Sequence, residues 1–255
     1  MIKFFRKIRQ NLLVEGKTGP YIKYAVGEIF LVVIGILIAL QVNDWNERNK
    51  LRTKEKIYLD NIKADLELNV ASLHEFIEVR QSSIHSVEML LEYFNEKESL
   101  NLKDFNAHSI NVMVWYPFVQ HSNTFQELMN SGNLASILNK DIKTGLQNMQ
   151  TAYEKITFVE NEMQQDFETY LYEPYFSTAD LEENFNIFNC LNAQQQGTVC
   201  GELNLAEFQE LLHNKKFKNG FMLASFNSNI LVEEYSRMIN STEELIVVIE
   251  KELSL

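Results

Sequence analysis

Cysteine, proline and glycine are all scarce in this 255-residue chain, at two, three and nine residues. So few breakers exclude a loop-rich or turn-rich all-β architecture, and two cysteines exclude a fold held mainly by disulfides. Familiar catalytic strings are missing too. There is no Gly-x-Ser-x-Gly, no phosphate loop, no dinucleotide glycine fingerprint and no His-Glu-x-x-His. Positive charge is short after residue 42, where 17 of the 23 basic residues face 33 of the 35 acidic ones. A surface that acidic argues against nucleic acid, which attracts basic proteins.

Long apolar runs are equally rare, and the exception is informative. From Ala25 to Val42 the chain reads AVGEIFLVVIGILIALQV, with Glu28 its sole ionisable residue. Eighteen residues at ~1.5 Å each just span a hydrocarbon core of ~30 Å. Lys3, Arg6, Lys7, Arg9, Lys17 and Lys23 precede the run against Glu15 alone. Basic residues near a span stay on the cytoplasmic side, so the N-terminus is expected inside and the acidic remainder outside. Trp45 fits an interfacial anchor. The exit residues Leu40, Gln41, Val42 and Asn43 lack a small-x-small cleavage pattern, so the run is expected to be a retained anchor rather than a signal peptide. Ahead of it, Ile2, Phe4, Phe5, Ile8, Leu12 and Leu13 fall near one helical stripe with basic residues opposite. Such a segment lies in the inner headgroup layer or simply enforces topology.

The expected organisation is a basic amphipathic cytoplasmic segment at 1–20, a transmembrane helix at 21–43 and a helical bundle at 44–255. The fold class is all-α: the span continues into a long stalk helix and an extracytoplasmic antiparallel bundle. Leu51, Ile57, Ile62, Leu66, Leu73, Ile77, Ile84, Val87, Leu91 and Phe94 recur mostly at steps of 3, 4 or 7, the helical period. The stalk should therefore run from about 44 to 96, unless it breaks near Ser82-Ser83. A loop is expected at Glu98–Phe105. Ser109 would cap a short aromatic helix reaching Trp115, and Asn123 or Thr124 would open the next. Gly132 reads as a left-handed helix stop. A helix from about Lys140 to Tyr172 should end at Pro174, and further helices are expected at 205–214 and about 221–252. The stretch 177–204 looks least regular.

Three strings, Met1 to Arg9, Gly27 to Glu47 and Thr124-Phe-Gln-Glu-Leu-Met-Asn-Ser-Gly-Asn-Leu134, resemble one family. It is a large set of uncharacterised membrane proteins from Bacteroidota, chiefly Flavobacteriia, known only as a domain of unknown function. The resemblance covers the whole length and is strongest at the anchor and at 124–134. It implies a Gram-negative host, an inner-membrane location and a periplasmic domain, and it carries no activity and no catalytic residues.

Candidate site residues are few. Cys190 and Cys200 are spaced for a short disulfide-closed loop in an oxidising compartment, or are two thiols. His74 and Glu78 have the i, i+4 spacing of a metal pair, but no third ligand is placed, so no metal and no cofactor is expected. Trp115, Tyr116, Phe118 and Phe125 pack a core or line a ligand pocket. Glu28 snorkels towards Lys23 or Lys17, faces another transmembrane helix beside Gly27 and Gly35, or carries protons. The expectation is a non-enzymatic accessory, scaffold or sensor-like subunit whose partners are the bilayer and other membrane proteins or copies of itself. The alternative is a component of a proton-coupled machine using Glu28.

Overall fold

The computed structural model describes residues 18–192 and 201–254. The amphipathic segment expected before residue 18, and Cys200, lie outside them. Every regular element among the described residues is helical. The chain divides into two compact units, Met1–Ile57 and Tyr58–Leu255.

The first helix, α1, runs from Thr18 to Phe94 without interruption, so no break falls at Ser82-Ser83. Within the first unit its most apolar 18-residue window has a mean hydropathy of 2.5, and none of that window is buried. The helix is long and apolar enough to cross a membrane. Past Trp45 charged side chains pair one turn apart, Glu47 with Lys50 at 3.2 Å on the surface and Arg52 with the buried Glu55 at 2.6 Å.

The second unit is a bundle around three long helices: α1 from Tyr58 onward, α4 (Lys140–Asp166) and α8 (Lys215–Leu253). Cross-helix bonds give their directions. Lys63 meets Glu250 at 2.6 Å, while Lys218 meets Asn95 at 2.6 Å, so α8 runs antiparallel to α1. Thr242 meets Met149 and Asn227 meets Asp166, so α8 is antiparallel to α4 as well. The parallel pair α1 and α4 needs a return path. It is made by α2 (Leu102–Met113), an extended segment at 114–122 and α3 (Asn123–Asn130).

That return layer lies antiparallel along α1. Asn111 bonds Ser82 and Ser86, Tyr116 meets Arg80, His121 meets Asn69, Thr124 meets Asp65, and Glu127 meets Tyr58. The lengths agree. Five extended residues cover ~16 Å, as do eleven helical ones at ~1.5 Å rise.

The core is an apolar stripe from each long helix: Leu59, Ile62, Leu66, Leu73, Val87 and Leu90 from α1, Ile142, Leu146, Met149, Ile156 and Met163 from α4, and Phe217, Phe221, Leu231, Tyr235, Leu245 and Ile249 from α8. Burying one such side chain contributes roughly 1.5–3 kcal/mol. Leu51 and Ile57, expected on the same stripe, are instead exposed. The buried positions of α1 begin in earnest at Leu59 and include Asn69, Arg80 and Ser83.

Four helices start on asparagine side chains. Asn101, Asn139, Asn204 and Asn214 accept N–H groups of the first turns of α2, α4, α7 (Leu205–His213) and α8. Ser109 caps nothing; it is buried in the middle of α2. At α3 the N-cap residue Ser122 makes no side-chain bond, and Asp65 of α1 accepts the Thr124 N–H instead. Gly132 is left-handed, at φ 69°, as its place after α3 requires. Helix α1 closes through Lys97 N–H to Glu92 and Glu96 N–H to Tyr93, with Glu96 itself left-handed.

Pro174 does not end the helix that begins at Lys140. From Phe167 to Tyr172 the backbone widens into a π-helix, in which the Glu173 N–H reaches the Glu168 carbonyl five residues back. Helix α5 (Glu173–Thr178) then continues with Pro174 in its first turn, where a proline N–H is not needed. Helix α8 begins at Lys215, six residues before the expected start, because Asn214 supplies the cap. Asn219-Gly220 is thus inside a helix, and Gly220 is where α8 touches the π segment. A Cβ added there would stand 2.6 Å from Leu171 Cδ2 and 2.8 Å from the Tyr170 carbonyl oxygen. The stretch expected to be irregular holds α6 (Leu181–Asn192).

Candidate functional site

In the first unit Glu28 is half-buried among exposed neighbours on α1. Gly27 and Gly35 face open space, since a Cβ added to either meets nothing within 4 Å. That leaves room for a second helix to approach closely. Trp45 is exposed past the apolar run.

In the second unit the expected aromatic cluster is divided. Phe118 is fully buried, edge-on to Phe76 and Tyr153. Trp115 and Tyr116 point to different hollows either side of Val114. One, of about 240 Å³, is walled by Ile110, Met113, Trp115, Tyr172, Phe176 and Phe185 among others. The other, of about 260 Å³, is bounded by Val79, Ser82, Asn111, Tyr116 and Phe188 among others. Phe125 borders a much smaller gap near Asp65 and His121. Phe118 therefore packs the core, and Trp115 and Tyr116 line cavities.

Beneath the extended 114–122 segment lies a buried polar cluster with no counterpart among the expected sites. Arg80 and Glu160 are each 2% exposed and Tyr235 is fully buried. Glu160 Oε1 accepts both the Phe118 N–H at 2.8 Å and the Tyr235 hydroxyl at 2.7 Å. Burial pushes the Glu160 carboxyl above the ordinary carboxylate range, partly offset by these two donors and by the Arg80 charge. Burial likewise pushes the Tyr235 phenol up. Arg80 donates from Nη2 to the Tyr116 carbonyl at 3.2 Å, and its guanidinium lies 5.7 Å from the Trp115 ring centroid. Lower on α1, Asn69 donates to the His121 carbonyl at 2.8 Å and accepts its N–H at 2.7 Å. Side chains from α1 and α4 thus supply hydrogen bonds to an extended segment that pairs with no strand among the described residues.

This cluster can hold a backbone in place. It offers no open nucleophile and no pair of groups around a substrate-sized space. His74, Glu75 and Glu78 are exposed on α1, and His85 pairs with Glu88 at 3.6 Å. No group of three metal-ligating side chains occurs among the described residues. Asp180, Glu182, Glu183 and Cys190 border an open acidic hollow at α6.

The signal for Arg80, Asn69 and Glu160 was present in the phase of the helices. Asn69 and Glu160 each lie three or four residues from buried apolar neighbours, and Arg80 lies seven from both Leu73 and Val87 on the same stripe.

Comparison with known proteins adds one assignment. No curated protein and no solved structure matches the chain. Residues 28–181 match a family of unknown function, DUF6090, from Glu28 to the first residue of α6. The match takes in most of the apolar run and of α1, the return layer, α4 and the π segment, more than half of the chain, and the protein belongs to the DUF6090 family.

Proposed function

We propose that this protein is a non-enzymatic accessory, scaffold or sensor-like subunit of a bacterial inner membrane, assembled through its single span and its extracytoplasmic helices. The observation that carries this reading is the apolar stretch of α1, none of it buried, with one acidic residue inside it. Water would expel that stretch, and lipid would accept all of it except Glu28. A carboxylate in hydrocarbon costs a few kcal/mol, which favours a site facing protein. The open surfaces at Gly27 and Gly35 suit such a neighbour. The charge bias supports a cytoplasmic N-terminus and a periplasmic second unit. In that oxidising compartment Cys190 and Cys200 would pair in a disulfide that closes a short loop.

The second reading makes the protein a component of a proton-coupled machine, with Glu28 as the proton carrier. Purification of the tagged protein from its native membrane in mild detergent, with mass spectrometry of co-purifying chains, tests the first reading. A stoichiometric multi-span partner is the expected result, and a protein recovered alone as a monomer would refute it. Glu28→Gln then separates the two. Loss of the complex makes Glu28 a contact. An intact complex that has lost its activity makes it a proton site.

A further inference from the structure

The cavity beside Trp115 is walled almost wholly by rings and branched or sulfur-bearing side chains. The π-helix at Phe167–Tyr172 swings Tyr172 into the wall, and π segments of this kind recur at functional sites. Tyr172 stacks on Phe176 at 5.4 Å with an 11° interplanar angle, and is edge-on to Phe167 at 6.0 Å. Phe167 is in turn edge-on to Trp115 at 6.0 Å, while Arg80 lies against the same indole. The walls are therefore held before any occupant arrives, which lowers the ordering cost of binding.

Two properties define the occupant. The first is size: about 240 Å³ exceeds the ~150 Å³ of an apolar cavity that takes benzene, and suits one or two fused rings. The second is polarity. The Tyr172 hydroxyl is committed to the Met113 carbonyl at 2.8 Å, and the Tyr175 hydroxyl to Asn106 Oδ1 at 3.0 Å. Neither has a proton left to donate to an anionic or carbonyl-bearing ligand, whereas ring faces favour offset or edge-on contact with another ring. The mouth is open at Val114, Phe176 and Phe185, each between 42% and 52% exposed.

We propose that this cavity is a binding site for a small planar apolar molecule of indole size. The site lies within the second unit and stands independently of the membrane assembly argued above.

The test is a titration of the full chain in lipid nanodiscs with 5-fluoroindole, followed by fluorine NMR. Partition into lipid is non-saturable and common to every variant, so the saturable component is read. The comparison set is Val114→Phe, which narrows the mouth; Phe176→Ala, which removes a wall; and Val119→Phe, at an exposed position away from the cavity. Wild type and V119F are expected to show saturable broadening, with the dissociation constant raised at least tenfold in V114F and several-fold in F176A. Circular dichroism checks that each variant is folded. No saturable component in wild type, or one that survives both V114F and F176A unchanged, overturns the proposal.

Discussion

Removal of the Tyr235 hydroxyl probes the buried cluster most directly. In Tyr235→Phe the ring still fills its place against Phe76 and Phe118, so the packing term changes little. The lost contact is the 2.7 Å bond to Glu160 Oε1. A hydrogen bond to a charged partner contributes roughly 1.5–3 kcal/mol, and one between neutral groups roughly 0.5–1.5. Which applies depends on whether Glu160 is ionised. Burial raises its folded-state pKa, so the folded protein holds the proton more tightly than the unfolded chain. Wild-type stability therefore gains from this group as pH falls from its raised folded value towards the ordinary value, and loses that gain as pH rises. The phenol favours the ionised carboxylate, so its removal raises the Glu160 value further. The cost of Y235F should then be about 2 kcal/mol where Glu160 is ionised in the wild type, shrinking to about 1 where it is protonated. Urea unfolding followed by circular dichroism, repeated from pH 5 to 9 in one detergent, measures it. A cost that stays flat or shrinks as pH rises would refute the reasoning.

Two glycines on packed helices should respond oppositely to alanine. Gly220→Ala meets the Tyr170 backbone oxygen and Leu171 together, and overpacking costs about 1–3 kcal/mol against a helix-propensity gain of at most ~1. Gly145→Ala meets only the flexible end of Leu245, so it should be neutral or stabilising by up to ~1 kcal/mol. Thermal unfolding of the pair reads the difference, and G145A losing as much as G220A would show the close approach to be of no consequence. For the proposed disulfide, Cys190→Ser should slow migration on a non-reducing gel relative to wild type. It should also cost about 2–3 kcal/mol, as expected for a short closed loop. Identical migration with and without reductant in the wild type would show the thiols unpaired.

The helices themselves were legible, and their ends less so. A period of 3.6 in α1, α4 and α8 reflects burial of one face, a property written into each segment alone. Gly132 announced its left-handed turn because few other residues sit there without strain. The starts at Lys140 and Leu205 were expected, but those at Leu102 and Lys215, set by Asn101 and Asn214, were not, since asparagine is equally at home in loops. Pro174 misled for a different reason. A proline breaks an α-helix by removing one N–H, but the π-helical register just before it places that loss where a first-turn donor is spare. The junction at Phe167–Tyr172 is thus a change of register, which no local composition announces.

The two glutamates of most consequence show what decides legibility. Glu28 is conspicuous because every other residue from Ala25 to Leu40 is uncharged and nearly all are apolar, so type alone marks it. Glu160 is hidden among Glu154, Glu162, Gln164, Gln165 and Asp166, the polar side chains of an ordinary amphipathic helix. Its position tells more than its type. It stands four residues after Ile156 and three before Met163, both fully buried, so it shares their face. Asn69 and Arg80 occupy the same kind of position on α1, between Leu66, Leu73 and Val87. A polar residue in phase with a core stripe must find a partner inside the protein. Here the partners are backbone groups of the 114–122 segment, 36 to 52 residues away in sequence. The phase is readable from one helix, whereas the partner exists only once the return layer has folded across it.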